Sequence, residues 1–253
     1  MATRLTASEI LQQQLDHLGV TRPGDVGWAH GANNQARLKT ALADPAVHYL
    51  EGDISLDDRG YAIMAHPPAT TSDLRFTDWL GAIVAAGKGA KLDFKSPAVV
   101  ERCLDEANRQ AAGRIPLMIN ADLVMGPGGQ PPIFDPGRFL ALHKSMLPQC
   151  ILSPGWRVGD NGISYSREML GEMRDLLSTT RGPITLPFHA WYLFSSWPDV
   201  KWLLGRSSYT MTIWGRIDAP ELLAWLGKRT DPNRCFYDMQ DADGIQLSVT
   251  SEQ

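Results

Sequence analysis

Short apolar runs alternate with amphipathic stretches along the whole chain. Ile10, Leu11, Leu15 and Leu18 fall at helical spacing and predict a leading helix over Ala7 to Leu18, packed on the outside of the later elements. Strand-like runs come next at Val26 to His30 and Val47 to Ile54, then a short extended segment over Tyr61 to Ala65 that ends at His66. Further strands are predicted at Ala90 to Phe94, Pro116 to Asn120, Cys150 to Ser153, Ile184 to Phe188, Thr210 to Trp214 and Arg234 to Tyr237. Helical patterns separate them. They are marked by Leu38 and Ala41, by Trp79, Leu80 and Ile83, by Val100, Cys103 and Leu104, by Phe139 and Met146, by Leu170 and Met173, and by Leu222 and Leu226. Ser96-Pro97 and Asp135-Pro136 read as N-cap and first-turn pairs, and a shorter helix is expected after Trp197-Pro198.

Eight principal strands alternating with helices in 253 residues suit a closed parallel (β/α)8 barrel of the TIM type, as a single domain over residues 25–253 behind a helical extension over residues 1–24. An open doubly wound sheet is the competitor, but it normally carries a glycine-rich phosphate turn, and no GxGxxG or P-loop is present. The Gly/Pro-dense segment Gly126 to Pro132 reads as a long loop after the fourth strand. In a barrel of this kind function sits at the C-terminal ends of the strands, where His30, Glu51, Asp53, Asp93, Asn120, Ser153, His189, Trp214 and Asp238 all fall.

Composition narrows the picture modestly. A hydrophobic fraction of 43% is ample for one continuous core. The formal charge of -4, with no basic run or stripe, excludes the electrostatic footprint of a duplex nucleic-acid binder while leaving room for a small anionic substrate. Cys103, Cys150 and Cys235 are too scattered for a disulfide framework or a zinc site and are expected as buried free thiols. No signal peptide or membrane-spanning run is legible, so a soluble cytoplasmic protein is expected. The oligomeric state is not legible.

The chemistry comes from side-chain direction. Glu51 and Asp53 alternate on one strand and share a face; Lys91, Asp93 and Lys95 share one for the same reason. Three converging carboxylates repel unless a cation separates them, and hard oxygen ligands suit one divalent Mg2+ or Ca2+. The bland alternative pairs Glu51 and Asp53 with Lys91 and Lys95 as internal salt bridges, an arrangement that desolvation makes a poor stabiliser. His30 and His66, at strand ends beside the acids, form a candidate acid–base pair, whereas His48 and His143 read as structural. Asn120, His189 and Trp214 lie where substrate could be contacted. Trp28, Trp156, Trp191 and Trp214 could stack on a ligand, although packing is the commoner use. Ser153-Pro154-Gly155 is not a nucleophile elbow.

The blocks WAHGANN, LEGDISL, IMAHPP, KLDFKS, INADLVMGP, LSPGW and LPFHA, in this order from Trp28 to Asp238, resemble the menorin family, within the superfamily of phospholipase-C-like phosphodiesterases. The chain is also similar to glycerophosphodiester phosphodiesterases and to sphingomyelinase D type enzymes, which share a histidine after strand one, E-x-D on strand two and a second histidine soon after. The resemblance implies a metal on Glu51, Asp53 and Asp93, His30 and His66 as catalytic pair, and Lys95, with Lys91, toward phosphate. Gly31 and Pro67 stand where the glycerophosphodiester pattern has arginine and aspartate, so a glycerol-type substrate is not implied.

The function expected is therefore a metal-dependent phosphodiesterase, a hydrolase or lyase. Its substrate would be a small phosphodiester of lipid-headgroup, glycerophosphodiester or nucleotide type, with a cyclic-phosphate route open. The alternative is a catalytically silent barrel that binds a ligand or a protein.

Overall fold

The computed structural model describes residues 5–205 and 209–249. Helix α1 (Ala7–Leu18) begins with a capping box in which the Thr6 hydroxyl and Glu9 carboxylate satisfy each other's backbone N–H groups. After it come β1 (Trp28–Ala29), α2 (Gln35–Ala43), β2 (Tyr49–Leu56), β3 (Ala62–Met64), α3 (Phe76–Ala86), β4 (Gly89–Phe94), α4 (Val100–Gln110) and β5 (Leu117–Met125). The chain continues through α5 (Pro136–Met146), β6 (Ile151–Arg157), α6 (Arg167–Leu176), β7 (Ile184–His189), α7 (Ala190–Leu203), β8 (Tyr209–Arg216), α8 (Pro220–Arg229) and β9 (Cys235–Gln240).

Eight of these strands are parallel neighbours in the order β1-β2-β4-β5-β6-β7-β8-β9, and β3 folds back antiparallel on β2. The result is a nearly closed barrel ringed by helices. Its seam lies between β1 and β9, where the side-chain amide of Gln246 bridges the two: it accepts from the Trp28 N–H and donates toward the Val26 and Tyr237 carbonyls. A two-residue first strand is too short to close the ladder by itself.

Helix α1 does not lie on the outside. Its Leu15 packs with Val26, Trp28, Tyr49, Met118, Ile151 and Phe236, residues from the beginnings of the strands, and closes the N-terminal end of the barrel. The Tyr49 hydroxyl donates to Gln14 there at 2.8 Å. Above this apolar plug lie the buried charged side chains Glu51, Asp53, Lys91, Asp93 and Asp238.

Three local expectations are corrected. Helix α7 starts at Ala190 and runs through Pro198, because burying Leu193, Val200 and Leu203 outweighs a proline cost of ~3 kcal/mol. Ser96 makes no side-chain cap; a 3-10 turn over Pro97–Val99 leads into α4 instead, whereas Asp135 caps α5 as expected. The strands also run further than expected, so Asp238, expected just past a strand, lies within β9, and Asn120 and Ser153, expected at strand ends, lie inside β5 and β6. Like Glu51 and Asp53 on β2, these side chains are buried. All three cysteines are buried free thiols, and among the described residues no helix is long and apolar enough to cross a membrane.

Candidate active site

Parallel register builds the site in rows. Glu51 stands opposite Lys91, and one row higher Asp53, Asp93, Asn120 and Ser153 are successive partners across β2, β4, β5 and β6. Ligand oxygens of Glu51, Asp53 and Asp93 all lie within 4.8 Å of one another, a buried hard-oxygen set that could hold a metal ion.

Each acid is also held from outside. The turn after β1 places Gly31 at a φ of 63°, a conformation glycine adopts without strain, and aims its N–H at Glu51 at 2.7 Å. The Asn33 amide donates to Asp53 at 2.6 Å while its oxygen accepts from the Asp53 N–H. Asn120 donates to Asp93 at 2.9 Å and is itself fixed by the Ser153 hydroxyl at 2.7 Å. Lys95 reaches Asp93 at 2.8 Å and Asp53 at 3.4 Å.

His30 leaves the end of β1 and meets β9 across the seam, its Nδ1 3.0 Å from Asp238 and 3.6 Å from Glu51. The second Asp238 oxygen takes Lys91 at 3.2 Å, so this lysine faces Asp238 more than the cavity. His66 comes just after β3 and is exposed. Its Nδ1 lies 2.6 Å from the Pro67 carbonyl, which can only accept, so Nδ1 is the donor in this contact.

Charges in this enclosure shift strongly. Burial raises the Glu51 carboxyl, opposed by His30 and reinforced by Asp53, to about 7. Burial likewise lifts Asp122 to about 6, against the pull of Lys95. Burial would lower the His30 imidazole, but Asp238 and Glu51 prevail and push it up to about 9. Burial would raise Asp238 too; His30 and Lys91 hold it down at about 2.

A cavity of about 170 Å³ gathers His30, Glu51, Asp53, His66, Lys91, Asp93, Lys95, Asn120 and Trp214, with Asp122, Trp156, Val158 and Pro187 completing the wall. Among the residues singled out in sequence, His189 stands apart. Its ring meets Trp214 edge-on and Tyr192 at a tilt, at 4.8 and 4.6 Å between centroids, and its Nδ1 is buried with no hydrogen-bond partner among the described residues. Trp28 stacks on Tyr49 below, and Trp156 stacks on Phe188. A larger groove of about 1110 Å³ runs outside the barrel between α2 and the segment after β9 and shares only His30 with the site.

Sequence reasoning passed over Asp122, Asn33 and Gln246 and gave Asp238 no role. Asp122 had a signal, since it lies two residues after Asn120 and faces the same way. Gly155, its register partner on β6, makes room for it: a Cβ there would stand 2.5 Å from the Asp122 carboxylate. Gln246 had none, because its role depends on the chain folding back over the seam.

The sequence profile of the menorin N-terminal domain matches residues 24–243. Human (Homo sapiens) Protein FAM151B is 35% identical over 230 residues, spanning 85% of this chain and 82% of that protein. Among solved structures, the glycerophosphodiester phosphodiesterase from Agrobacterium tumefaciens str. C58 superposes with a TM-score of 0.56 at 10% identity, covering 87% of this chain and 98% of that one. A glycerophosphoryl diester phosphodiesterase from Parabacteroides distasonis ATCC 8503 gives 0.52 at 11% identity, covering 98% and 95%. At such identities the likeness speaks to the fold.

Proposed function

This chain belongs to the menorin family, and from that premise we propose that it is a metal-dependent phosphodiesterase acting on a small phosphodiester by histidine acid–base catalysis. The observation that carries this reading is a surplus of charge. Five carboxylates, Glu51, Asp53, Asp93, Asp122 and Asp238, stand against three cationic side chains, Lys91, Lys95 and His30, in a buried enclosure, a surplus of two that Arg157 offsets only in part, at Asp122. Without a cation the crowding falls on Glu51 and Asp122, whose carboxyls burial raises to about 7 and about 6. A divalent ion matches the surplus, and the oxygen-only donor set suits Mg2+ or Ca2+.

Glu51, Asp53 and Asp93 would hold that ion, which supplies charge neutralisation at the phosphoryl oxygens. The remaining chemistry belongs to side chains. Asp238 holds His30 as an imidazolium, whose free Nε2–H is the proton donor to the departing alkoxide. His66, held through Nδ1 by the Pro67 carbonyl, would offer Nε2 to the proton of the attacking hydroxyl. Lys95 contributes positive charge at the cavity wall, and Asn120 and Trp214 are positioned to touch the substrate.

A second reading, a barrel that binds without turnover, draws on one contact: Lys95 already bridges Asp53 and Asp93 and could stand in for the metal. Purified protein incubated with Mg2+, Ca2+ or Mn2+ and an aryl phosphodiester, together with lysophospholipid, glycerophosphodiester and cyclic nucleotide panels, separates the two. Metal-dependent turnover that His30→Ala abolishes is expected. Turnover that survives His30→Ala and His66→Ala together refutes the mechanism, and no turnover on any substrate with any of these metals favours the silent barrel.

A further inference from the structure

Most of the exposed large hydrophobic side chains lie just beyond the C-terminal ends of strands, at the end of the barrel where the cavity opens. One group is concentrated beside the cavity wall. Met125 ends β5, Ile133 and Ile163 lie in the loops after β5 and β6, and Trp191 is in the first turn of α7; Ile133 is 54% exposed and Ile163 is 78% exposed.

These side chains are held outward by a rigid arrangement. The two loops touch backbone to backbone: a Cβ on Gly128 would meet the Gly162 nitrogen at 2.5 Å, and one on Gly159 would meet the Gly128 oxygen at 2.2 Å. The Gly159 N–H donates to the Pro127 carbonyl at 2.9 Å, Arg157 donates to the Pro131 carbonyl at 2.7 Å, and the Tyr192 hydroxyl donates to the Gly159 carbonyl at 2.7 Å. With the two loops packed on each other, Ile133 and Ile163 are left facing water. Trp156 from β6, Val158 just after it and Pro187 from β7 form part of the cavity wall, so the apolar rim adjoins the phosphodiester site.

Charge selects the occupant. The segment from Gly126 to Phe134 carries no charged residue, in a chain whose formal charge is -4. The uncharged tip of the loop after β5, beside Trp191, suits insertion at a bilayer interface, where no complementary groove is needed; the loop after β6 adds Ile163 with one charge, Asp160, and the acidic chain disfavours an anionic surface. We propose that this rim docks on a zwitterionic lipid bilayer and that the phosphodiester reached from it is a phospholipid headgroup. The docking half rests on the rim alone, and the headgroup half rests on the phosphodiesterase reading.

The test is cosedimentation of the full chain with phosphatidylcholine vesicles, with and without added phosphatidylserine. The chain is expected to pellet with phosphatidylcholine alone. Ile133→Asp with Ile163→Asp should lower the bound fraction roughly tenfold, Trp191→Ser should lower it independently, and Leu5→Asp, ahead of α1, should leave it unchanged. Circular dichroism verifies that each variant is folded. A chain that stays in the supernatant, that pellets only with phosphatidylserine, or whose double variant binds undiminished overturns the docking proposal. The double variant should still hydrolyse a soluble aryl phosphodiester while losing activity on vesicles. Vesicle binding without hydrolysis of either substrate overturns the headgroup assignment and the phosphodiesterase reading, and leaves docking standing.

Discussion

His30 and Asp238 are 208 positions apart in the chain, yet the imidazole Nδ1 lies 3.0 Å from the Asp238 carboxylate across the barrel seam. The pair joins the first strand to the last, and the acid on one side of it also carries Lys91 on its other oxygen.

Asp238→Asn should therefore act twice. Loss of the charge that stabilises the His30 imidazolium is expected to lower kcat on an aryl phosphodiester by roughly 10²–10⁴-fold, the usual range for an acid–base group. Lys91 would be left buried without its partner, so chemical denaturation should show a loss of about 3–5 kcal/mol. Retained activity together with unchanged stability would contradict both roles.

Metal binding should compete with protons. Glu51 sits at about 7 when its charge is unbalanced, mainly through burial, so its proton must leave when a cation arrives. Mg2+ affinity is expected to rise as pH climbs through about 7, and calorimetry in buffers of different ionisation enthalpy should detect proton release. Glu51→Gln and Asp93→Asn should each weaken binding; equal affinity in wild type and both variants would rule out this ligand set.

Stability in mild acid should depend on His143. Burial outweighs its hydrogen bond to the Cys150 carbonyl and lowers the imidazole to about 4. The folded chain then binds fewer protons than the unfolded chain between that value and the ordinary 6.5. This contribution is complete above the unfolded value, fades as pH falls toward the folded one, and is gone below it. From about pH 7 to about pH 5 the loss is on the order of 2 kcal/mol. Urea denaturation of wild type against His143→Gln measures it, and identical pH slopes would disprove the assignment.

The cysteines should be inert in the folded state. Burial pushes the Cys103, Cys150 and Cys235 thiols up to about 12, which leaves almost no thiolate. A thiol reagent should modify them only as fast as the chain unfolds, and rapid labelling of folded protein would argue against the packing described.

Much of this protein is written locally. Apolar periodicity marks each strand and helix because burying one face of an element is decided within a few residues, as at α1, whose predicted span coincides with Ala7–Leu18. Strand alternation alone brought Glu51, Asp53, Asp93, Lys91 and Lys95 toward one interior, since parity fixes which face a side chain takes. Tertiary structure decided what parity cannot. Barrel closure gave Lys91 to Asp238 and paired His30 with β9; an edge-on contact with Trp214 took His189 out of the cavity wall; the chain's return over the seam assigned Gln246 to the strand edges. Helix α1 reads as an amphipathic helix from its sequence, but only the exposed lower end of the barrel determines that it becomes a plug. In each case the partner lies far along the chain, and its selection depends on register and closure, which no local window of sequence contains.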